Sequence, residues 1–274
     1  MERGEMRGLI EKVTSLPTLP GVVEKVATMA DREDTTASQL GNEISKDQVL
    51  SAKVLKLVNS GFYGFSQPVT RISHAMVLLG FNVVKTLVLS TTVLDMMAQS
   101  MSGVWEHSLA CARTAAIIAK QIEMPDPEEI SVAGLLHDLG KVAVHENLPE
   151  EYERVTDLIE REKMLLYQAE GQTLGGVTHA TIGGWLLEKW SIPSKLVAPI
   201  AHHHDFHPVR EHADRTAVIH LADILCRAEG FGSGGDHKIP VLNPEALNIL
   251  DLTIDDLQGI MDQMNEELYD IRRI

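Results

Sequence analysis

An apolar stretch that carries a histidine next to an aspartate constrains this chain more than any other feature. It runs SVAGLLHDLGK over residues 131–141. Its apolar residues recur at helical spacing and predict a buried helix. They are Val132, Leu135, Leu136 and Leu139. Burying His137 and Asp138 without partners would cost roughly 1–3 kcal/mol for each group. A divalent metal ion would be a partner for both, because it accepts nitrogen and oxygen ligands. The common alternative is an aspartate that caps a neighbouring element or pairs with an arginine.

The composition limits the class of protein and its partners. The 274 residues are enough for one large domain or two modest ones, and 44% of them are apolar. A formal net charge of −15 disfavours non-specific binding to nucleic acid or to an anionic membrane, because the field of the protein repels phosphate. We therefore expect no membrane association, and we consider nucleic acid an improbable partner.

The two cysteines and the N-terminus bear on the compartment. Cys111 and Cys226 lie in apolar helical patterns, so we expect buried free thiols in a reducing compartment rather than a disulfide. The N-terminal sequence MERGEMRGLIEKV lacks an apolar targeting region, and no apolar run reaches about 18 residues. The sequence predicts a cytoplasmic protein.

Helical periodicity recurs along the chain, and no stretch shows the alternation of a strand. The predicted class is all-α. Predicted helices cover 22–30, 49–58, 73–79, 82–97, 105–122, 128–144, 150–163, 181–190, 194–203 and 216–229, with a short one near Leu9 and another that starts at Thr36. We expect a packed loop at 62–65, rather than a platform on which bases stack, and a flexible loop at 230–235. The segment 244–274 is predicted to end in a helix docked on the core.

The polar segment QSMSG at residues 99–103 is the best candidate linker. Ten of the twelve histidines lie after residue 130, so the character of the chain changes beyond this point. We predict an N-terminal helical part over residues 1–100 and a second helical part over residues 104–274.

Polar residues occur in apolar helical contexts at five places after the linker. They are His107, His137-Asp138, His179, His203-His204-Asp205 and Asp223. Asp223 is the most informative single case, because the helix around it is otherwise apolar. Together these places supply four separate imidazole sites and two carboxylates, which is enough for a two-metal centre.

The order H…HD…H…HH…D resembles the pattern of the HD superfamily of metal-dependent phosphohydrolases. Within that superfamily the chain resembles HDOD domain proteins. The resemblance covers roughly residues 10–225 and rests on SLPTLPGVVEKV, KVLKLVNSGFYGFSQPVTRISHAMVLLGFNVVKTLVLS, AGLLHDLGK and HATIGGWLLEKWSIPSKLVAPIAHHH. It implies an all-α fold in which a helical N-terminal part packs on an HD-like part, and a bacterial signalling role.

The resemblance also implies roles for particular residues. His107, His137, Asp138 and Asp223 would hold one metal ion, with Asp138 bridging to a second. The ligands of the second ion would be His179, His203 and His204. Lys141 matches a basic residue that can support a phosphate or the leaving group. These ligands suit Fe, Mn, Zn and Ni alike.

Two departures from relatives of the HD-GYP group bear on the reaction. Gly103 stands four residues before His107, where some three-metal relatives carry a glutamate. After Asp205 the chain continues FHPVREHAD, without a GYP-type loop. These differences favour two metals over three and argue against hydrolysis of cyclic di-GMP.

The remaining histidines are predicted to lie outside the site. We expect His145, His207, His212 and His237 to be exposed, and His74 to cap or pack near a helix start. His202 and His220 neighbour proposed ligands, but helical geometry directs them elsewhere.

Two hypotheses about function follow. The first is a bacterial HDOD signalling module that binds a protein partner and keeps the two-metal His/Asp site for structure or sensing. The alternative is a metal-dependent phosphohydrolase that cleaves nucleotides or cyclic nucleotides with a metal-bridged hydroxide, so that its ligand is a nucleotide.

Overall fold

The computed structural model describes residues 4, 7, 8, 21–30, 32, 34–59, 67–101 and 103–268. Within these residues the fold is all-α, as predicted, and contains no strand. The helices are α1 (Gly21–Ala30), α2 (Ala37–Lys46), α3 (Gln48–Val58), α4 (Ile72–Ser100), α5 (Val104–Gln121), α6 (Pro127–Leu136), α7 (Leu139–Asn147), α8 (Pro149–Glu162), α9 (Leu166–Thr173), α10 (His179–Lys189), α11 (Ser194–His202), α12 (Ala213–Ala228), α13 (Pro244–Leu250) and α14 (Ile254–Glu267).

Local signals in the sequence set the first helix boundaries. The side chain of Thr36 accepts a hydrogen bond from the backbone N–H of Gln39, and the Gln39 side chain accepts one from the backbone of Thr36. This capping box starts α2, as the spacing predicts. The Asp47 side chain caps α3 in a similar way.

Helix α4 consists of two segments that meet at Gly80. Gly80 has φ of 78°, a left-handed conformation that glycine adopts without steric strain. The predicted helices 73–79 and 82–97 are therefore both present. By length and composition, 72–91 could cross a membrane, but 61% of that window is buried within the fold. Packing in a core explains its apolar character.

The helices that carry the polar motifs form one packed group. Helix α5 packs on α6 and α12, while α10 packs on α7 and α11. Helix α4 contacts α5, α6 and α7 and so joins this group to the N-terminal helices. Buried side chains from Val23 to Leu268 belong to one apolar cluster. The division between 1–100 and 104–274 remains a prediction.

The predicted continuous helix over 128–144 is wrong. Helix α6 ends at Leu136, and α7 begins at Leu139, so His137 and Asp138 form the junction between two helices. Apolar periodicity continues across the junction and hides it from the sequence. Gly140, in the first turn of α7, lets this helix approach α10 closely, because a Cβ on Gly140 would lie 2.0 Å from the carbonyl oxygen of His179.

The C-terminal segment docks on the core, as predicted. Ile260, Met264 and Leu268 are buried, and α14 packs on α5. The predicted helix near Leu9, the loop at 62–65 and the end of the tail at 269–274 lie outside the described residues.

Candidate metal centre

The seven predicted ligand side chains converge, although five separate places in the chain supply them. His107 lies in α5, His137 and Asp138 form the α6–α7 junction, His179 begins α10, His203 and His204 follow α11, and Asp223 lies in α12. All seven side chains are buried, and their donor atoms fall into three overlapping groups. Within each group the candidate ligand atoms lie no more than 4.8 Å apart.

Asp138 is the centre of this arrangement. Its Oδ2 atom lies 3.2 Å from Nε2 of His137 and 3.8 Å from Nε2 of His107. Its Oδ1 atom lies 3.3 Å from Nε2 of His179. Asp138 occupies the N-cap position of α7 but makes no capping hydrogen bond. The alternative of a simple helix-capping aspartate is therefore wrong.

Asp223 joins the two ends of the cluster. Its Oδ1 atom lies 3.1 Å from Nε2 of His107, and its Oδ2 atom lies 3.8 Å from Nδ1 of His204. Nε2 of His204 in turn lies 3.2 Å from Nε2 of His179. The cluster is continuous from α5 to α10.

Four of the imidazoles are oriented by acceptors at their outer nitrogen. The Nδ1 atoms of His137 and His203 donate to the carbonyls of Gly134 and Ile200, at 2.7 and 2.8 Å. Nδ1 of His107 lies 3.2 Å from the carbonyl oxygen of Phe231. In a neutral imidazole this leaves Nε2 as a bare acceptor directed into the cluster. Metal-binding histidines characteristically have their other ring nitrogen held in this way.

Glu170 holds the fourth imidazole. Its carboxylate lies 2.6 Å from Nδ1 of His179 and accepts the backbone N–H of the same residue at 2.9 Å. A carboxylate at the start of a helix also interacts favourably with the helix dipole. Glu170 thus fixes both the ring of His179 and the beginning of α10.

Three donor atoms inside the cluster have no hydrogen-bond partner. They are Nε2 of His137, Nε2 of His203 and Oδ1 of Asp138. Each such buried atom costs about 1–3 kcal/mol if nothing satisfies it. All three carry lone pairs, and their residues offer ligand atoms within 4.8 Å of one another, so a cation would satisfy them together. The residues therefore fit a divalent metal.

The local electrostatics of both carboxylates and of His203 and His204 favour the protonation states that bind a cation. Burial lowers the pKa of His179, but Glu170 raises it above its usual value. Burial raises the pKa of Asp138, but His137 and Lys141 hold it well below its ordinary value. Burial also raises the pKa of Asp223, while His107 and His204 lower it further than burial raises it. Burial, together with neighbouring imidazoles, lowers the pKa of both His203 and His204 far below the usual value. Metal ligands must be charged carboxylates and neutral imidazoles.

A comparison of the sequence with known protein families identifies the family of this chain. The HDOD domain family profile matches residues 16–206, which is well over half of the chain. The chain belongs to the HDOD family.

A solved structure and two curated relatives are similar to this HDOD protein. The crystal structure of an HDOD domain protein of unknown function from Geobacter sulfurreducens has a TM-score of 0.73 and 26% identity, covering 98% of this chain and 97% of its own. An uncharacterised protein of Treponema pallidum is 25% identical over 80% of this chain and 44% of its own length. The cyclic di-GMP phosphodiesterase PA4108 of Pseudomonas aeruginosa is 42% identical over 53 residues, which are 19% of this chain and 13% of that protein. The chain spans less than half the length of these curated relatives.

Lys141 lies inside the cluster of His and Asp side chains rather than at an open surface. Its side chain is 2% exposed. Its ammonium donates to Oδ2 of Asp138 at 2.6 Å and to the carbonyl of Gly234 at 2.7 Å. These contacts hold the Asp138 carboxylate in place. The expectation that Lys141 supports a phosphate or leaving group remains a prediction.

The loop at 230–235, expected to be flexible, packs against the site. Phe231 is buried, and its carbonyl faces His107. A Cβ on Gly232 would lie 2.4 Å from the backbone nitrogen of His107, so only glycine allows this close approach. Together with Gly234, which holds Lys141, the loop forms one wall of the site.

Glu170 and its helix α9 were missed by sequence reasoning. No helix was predicted between 163 and 181, because α9 is short and its periodicity is weak. The available signal was a glutamate that follows an apolar run, Leu165-Leu166, and a small residue, Ala169. Tyr167 on the same helix stacks on the ring of His204, with centroids 4.4 Å apart.

Cys111 is a further residue whose position was not predicted. Both cysteines are buried and free, as expected, but Sγ of Cys111 lies 3.5 Å from Nε2 of His107. The signal was the four-residue spacing from His107, which puts both residues on one face of a helix. Burial raises the pKa of the Cys111 thiol well above its usual value.

The remaining histidines mostly lie outside the cluster. His74, His207 and His237 are exposed, whereas His145 and His212 are half-buried rather than exposed as predicted. Contacts of His145 with Glu146 and of His212 with Ser194 account for the difference.

His220 supports the cluster from outside. Its Nδ1 atom donates to the carbonyl of His203 at 2.7 Å, and its Nε2 atom accepts the backbone N–H of Asn243 at 3.1 Å. Burial lowers the pKa of His220, in agreement with a neutral ring.

A cleft of about 520 Å³ reaches the cluster at one point. His204 lies on its wall, beside Tyr167 and Trp185. Arg210 lies on the same wall and pairs with Asp205 at 2.8 Å. Among the seven proposed ligands, His204 is the one on the wall of this cleft.

Proposed function

We propose that this HDOD protein is a cytoplasmic signalling module whose His/Asp cluster holds two divalent cations. One cation would be held by His107, His137, Asp138 and Asp223, and the other by His179, His203 and His204, with Asp138 shared between them. The observation that carries the proposal is the set of buried, unpartnered donor atoms on His137, His203 and Asp138. The proposed cations are Fe, Mn, Zn or Ni, which all accept these ligands.

The closed environment of the cluster supports a structural or sensing role for the metal. Among the seven proposed ligands, His204 has the most exposed side chain, at 6%. Structural metal sites are closed in this way, whereas catalytic sites keep a position open to water or substrate. In this role the metal ties α5, α10 and α12 together, and the HDOD scaffold binds a protein partner. We propose that the parts 1–100 and 104–274 form the two halves of this scaffold.

Metal analysis combined with calorimetry tests the proposal. Protein purified without chelator should contain about two equivalents of divalent metal, and chelation should lower its melting temperature. At a metal concentration of 100 times Kd, the lost stabilisation is about 2.7 kcal/mol for each cation. Asp138→Ala should lose both the metal and the effect of the chelator. His207→Ala, an exposed histidine outside the cluster, should keep both. Metal-free wild-type protein that is indifferent to added metal and to chelator would contradict the proposal.

The cleft favours a second candidate, a metal-dependent phosphohydrolase that acts on nucleotides or cyclic nucleotides. Divalent cations supply Lewis acidity towards a phosphoryl group. Here Lys141 would hold Asp138, and Glu170 would hold His179, so that both donors keep fixed positions. Burial of the cluster would exclude bulk water, and Tyr167 and Trp185 would line the approach of a base or ring. The short similarity to the Pseudomonas phosphodiesterase supports this chemistry class.

An activity screen separates the two candidates. Phosphomonoesters and phosphodiesters would be incubated with protein loaded with Mn²⁺, Fe²⁺ or Ni²⁺. The second candidate requires turnover in the wild type and in His207→Ala, and none in Asp138→Ala. An absence of turnover with every metal, in protein shown to be loaded, would count against a hydrolase and leave the signalling module.

A further inference from the structure

Cys111 lies within reach of the first proposed cation. It follows His107 by one helical turn on α5 and is fully buried. Its Sγ atom and donor atoms of His107, His137 and Asp223 all lie within 4.8 Å of one another. In the same group, Nε2 of His137 is buried and has no hydrogen-bond partner. Four potential ligands from three elements therefore surround one point.

We propose that Cys111 is a sulfur ligand of the cation held by His107, His137 and Asp223. This inference rests on the proposed function, because it requires that the cluster binds metal. Asp138, which the proposed function shares between the two cations, lies beside the group and contacts Lys141. The donor set at this position then contains two nitrogens, carboxylate oxygens and a sulfur. Nitrogen, carboxylate oxygen and sulfur are the ligand types that zinc binds in proteins.

A sulfur ligand would make the two halves of the centre chemically different. Thiolates select softer cations such as Zn²⁺, whereas carboxylates and water suit Mn²⁺ and Mg²⁺. The group of His179, His203 and His204 contains no sulfur. The position at Cys111 should therefore prefer Zn²⁺, Co²⁺ or Fe²⁺ over Mn²⁺ more strongly than the other position does. When Sγ binds the cation, the thiol proton passes to solvent.

Cys226 provides a matched control. It is also buried and free, but its Sγ atom contacts the hydroxyl of Thr114 at 3.2 Å. Among the described residues it belongs to none of the groups that could hold a metal. Cys111 lies on α5 and Cys226 on α12, and these two helices pack on each other. Replacing either cysteine by serine therefore removes one buried thiol from the same helix pair.

Cobalt spectroscopy tests the assignment. Metal-free wild-type protein, Cys111→Ser and Cys226→Ser would each be titrated with Co²⁺. We expect a near-ultraviolet thiolate-to-cobalt charge-transfer band in the wild type and in Cys226→Ser. The band should be lost in Cys111→Ser, while the visible ligand-field absorption of bound cobalt remains.

The outcomes separate this inference from the proposal on which it rests. Bound cobalt with ligand-field absorption but no charge-transfer band in the wild type would overturn the role of Cys111 and leave the metal centre intact. A protein that binds no cobalt would overturn both.

A measurement on wild-type protein covers the case in which Cys111→Ser does not fold. X-ray absorption of the zinc-loaded wild type and of Cys226→Ser should show a sulfur shell at about 2.3 Å, beyond the nitrogen and oxygen shell at about 2.0–2.2 Å. A spectrum fitted by nitrogen and oxygen alone would overturn the assignment.

Discussion

The N-terminal helices α1–α4 and the helices from α5 onwards share the same apolar patterning but use their buried polar groups differently. In the N-terminal region, buried hydroxyls bond to their own helix: Thr86 donates to the carbonyl of Asn82, and Thr91 to that of Val88. Glu43 pairs with Lys25 and Lys46 at the edge of the core. These polar groups are satisfied locally, whereas Lys85 donates to the carbonyl of Ser191 in the second region and the hydroxyl of Ser90 is buried without a partner.

In the second region the buried polar groups face each other across several helices. His137, Asp138 and His203 keep unpartnered atoms at no measurable exposure. All groups that could hold a metal among the described residues lie in this region. The described part of α1–α4 therefore has one unpartnered buried hydroxyl, whereas the second region brings unpartnered atoms of three residues together at one polar centre that a cation would satisfy.

The largest change in the free energy of unfolding is expected for a substitution in the N-terminal core. It tests whether the stability of this region is independent of the metal. Leu87 on α4 is fully buried in the apolar cluster. Leu87→Ala should reduce the free energy of unfolding by about 2–5 kcal/mol, because it removes apolar contacts and leaves a cavity. Urea unfolding should show the same loss in metal-loaded and in chelated protein.

Val77→Ala is the matched control, because Val77 lies on the same helix but is 82% exposed. Its effect should stay within about 0.5 kcal/mol. If the loss caused by Leu87→Ala changed by more than 1 kcal/mol on chelation, the N-terminal core would depend on the metal centre and the contrast between the regions would fail.

Sequence reasoning succeeded where a signal is local or where ligand types are rare in apolar surroundings. The capping box at Thr36 depends on four adjacent residues and was predicted correctly. The convergence of His107, His179 and Asp223 was expected because imidazoles and a carboxylate in buried helices need a common partner. The all-α class followed from periodicity alone.

Other features depend on contacts between distant segments and leave no periodic signal. The helix break at His137-Asp138 falls inside a run whose apolar pattern is continuous, so the pattern does not record it. The inward ammonium of Lys141 donates hydrogen bonds to Asp138 and to the carbonyl of Gly234, which lies 93 residues away in the chain. Glu170 was missed because its role depends on contacts with the ring and the backbone N–H of His179, nine residues further along the chain.

A smaller effect is expected at the support of the second proposed cation. Glu170→Gln replaces the carboxylate that faces Nδ1 of His179 by a neutral amide, so the ring becomes a weaker ligand. Loss of such a supporting contact lowers metal affinity by about 10–100-fold. Since an amide still accepts a hydrogen bond, we expect a value near tenfold, measured by competition titration calorimetry.

Glu162→Gln, an exposed glutamate at the end of α8, should leave metal affinity unchanged. Equal affinities for Glu170→Gln and wild type would show that His179 is held without the carboxylate, or that it binds no metal. Retained affinity together with lowered stability would assign Glu170 to the start of α10 alone.

The smallest expected effect comes from a substitution in the N-terminal region. It tests whether this region influences metal binding in the second region. Thr36→Ala removes the hydroxyl that accepts the backbone N–H of Gln39, so α2 loses its cap. The expected loss of unfolding free energy is about 1 kcal/mol, with no change in metal affinity. Ser38, two residues further, is exposed on the same helix, so Ser38→Ala should be neutral or slightly stabilising, because alanine has the higher helix propensity.

A change in metal affinity in Thr36→Ala, but not in Ser38→Ala, would mean that the start of α2 is coupled to the cluster. Because α2 contacts α4, and α4 contacts α7, such a result would identify α4 as the connection between the two regions.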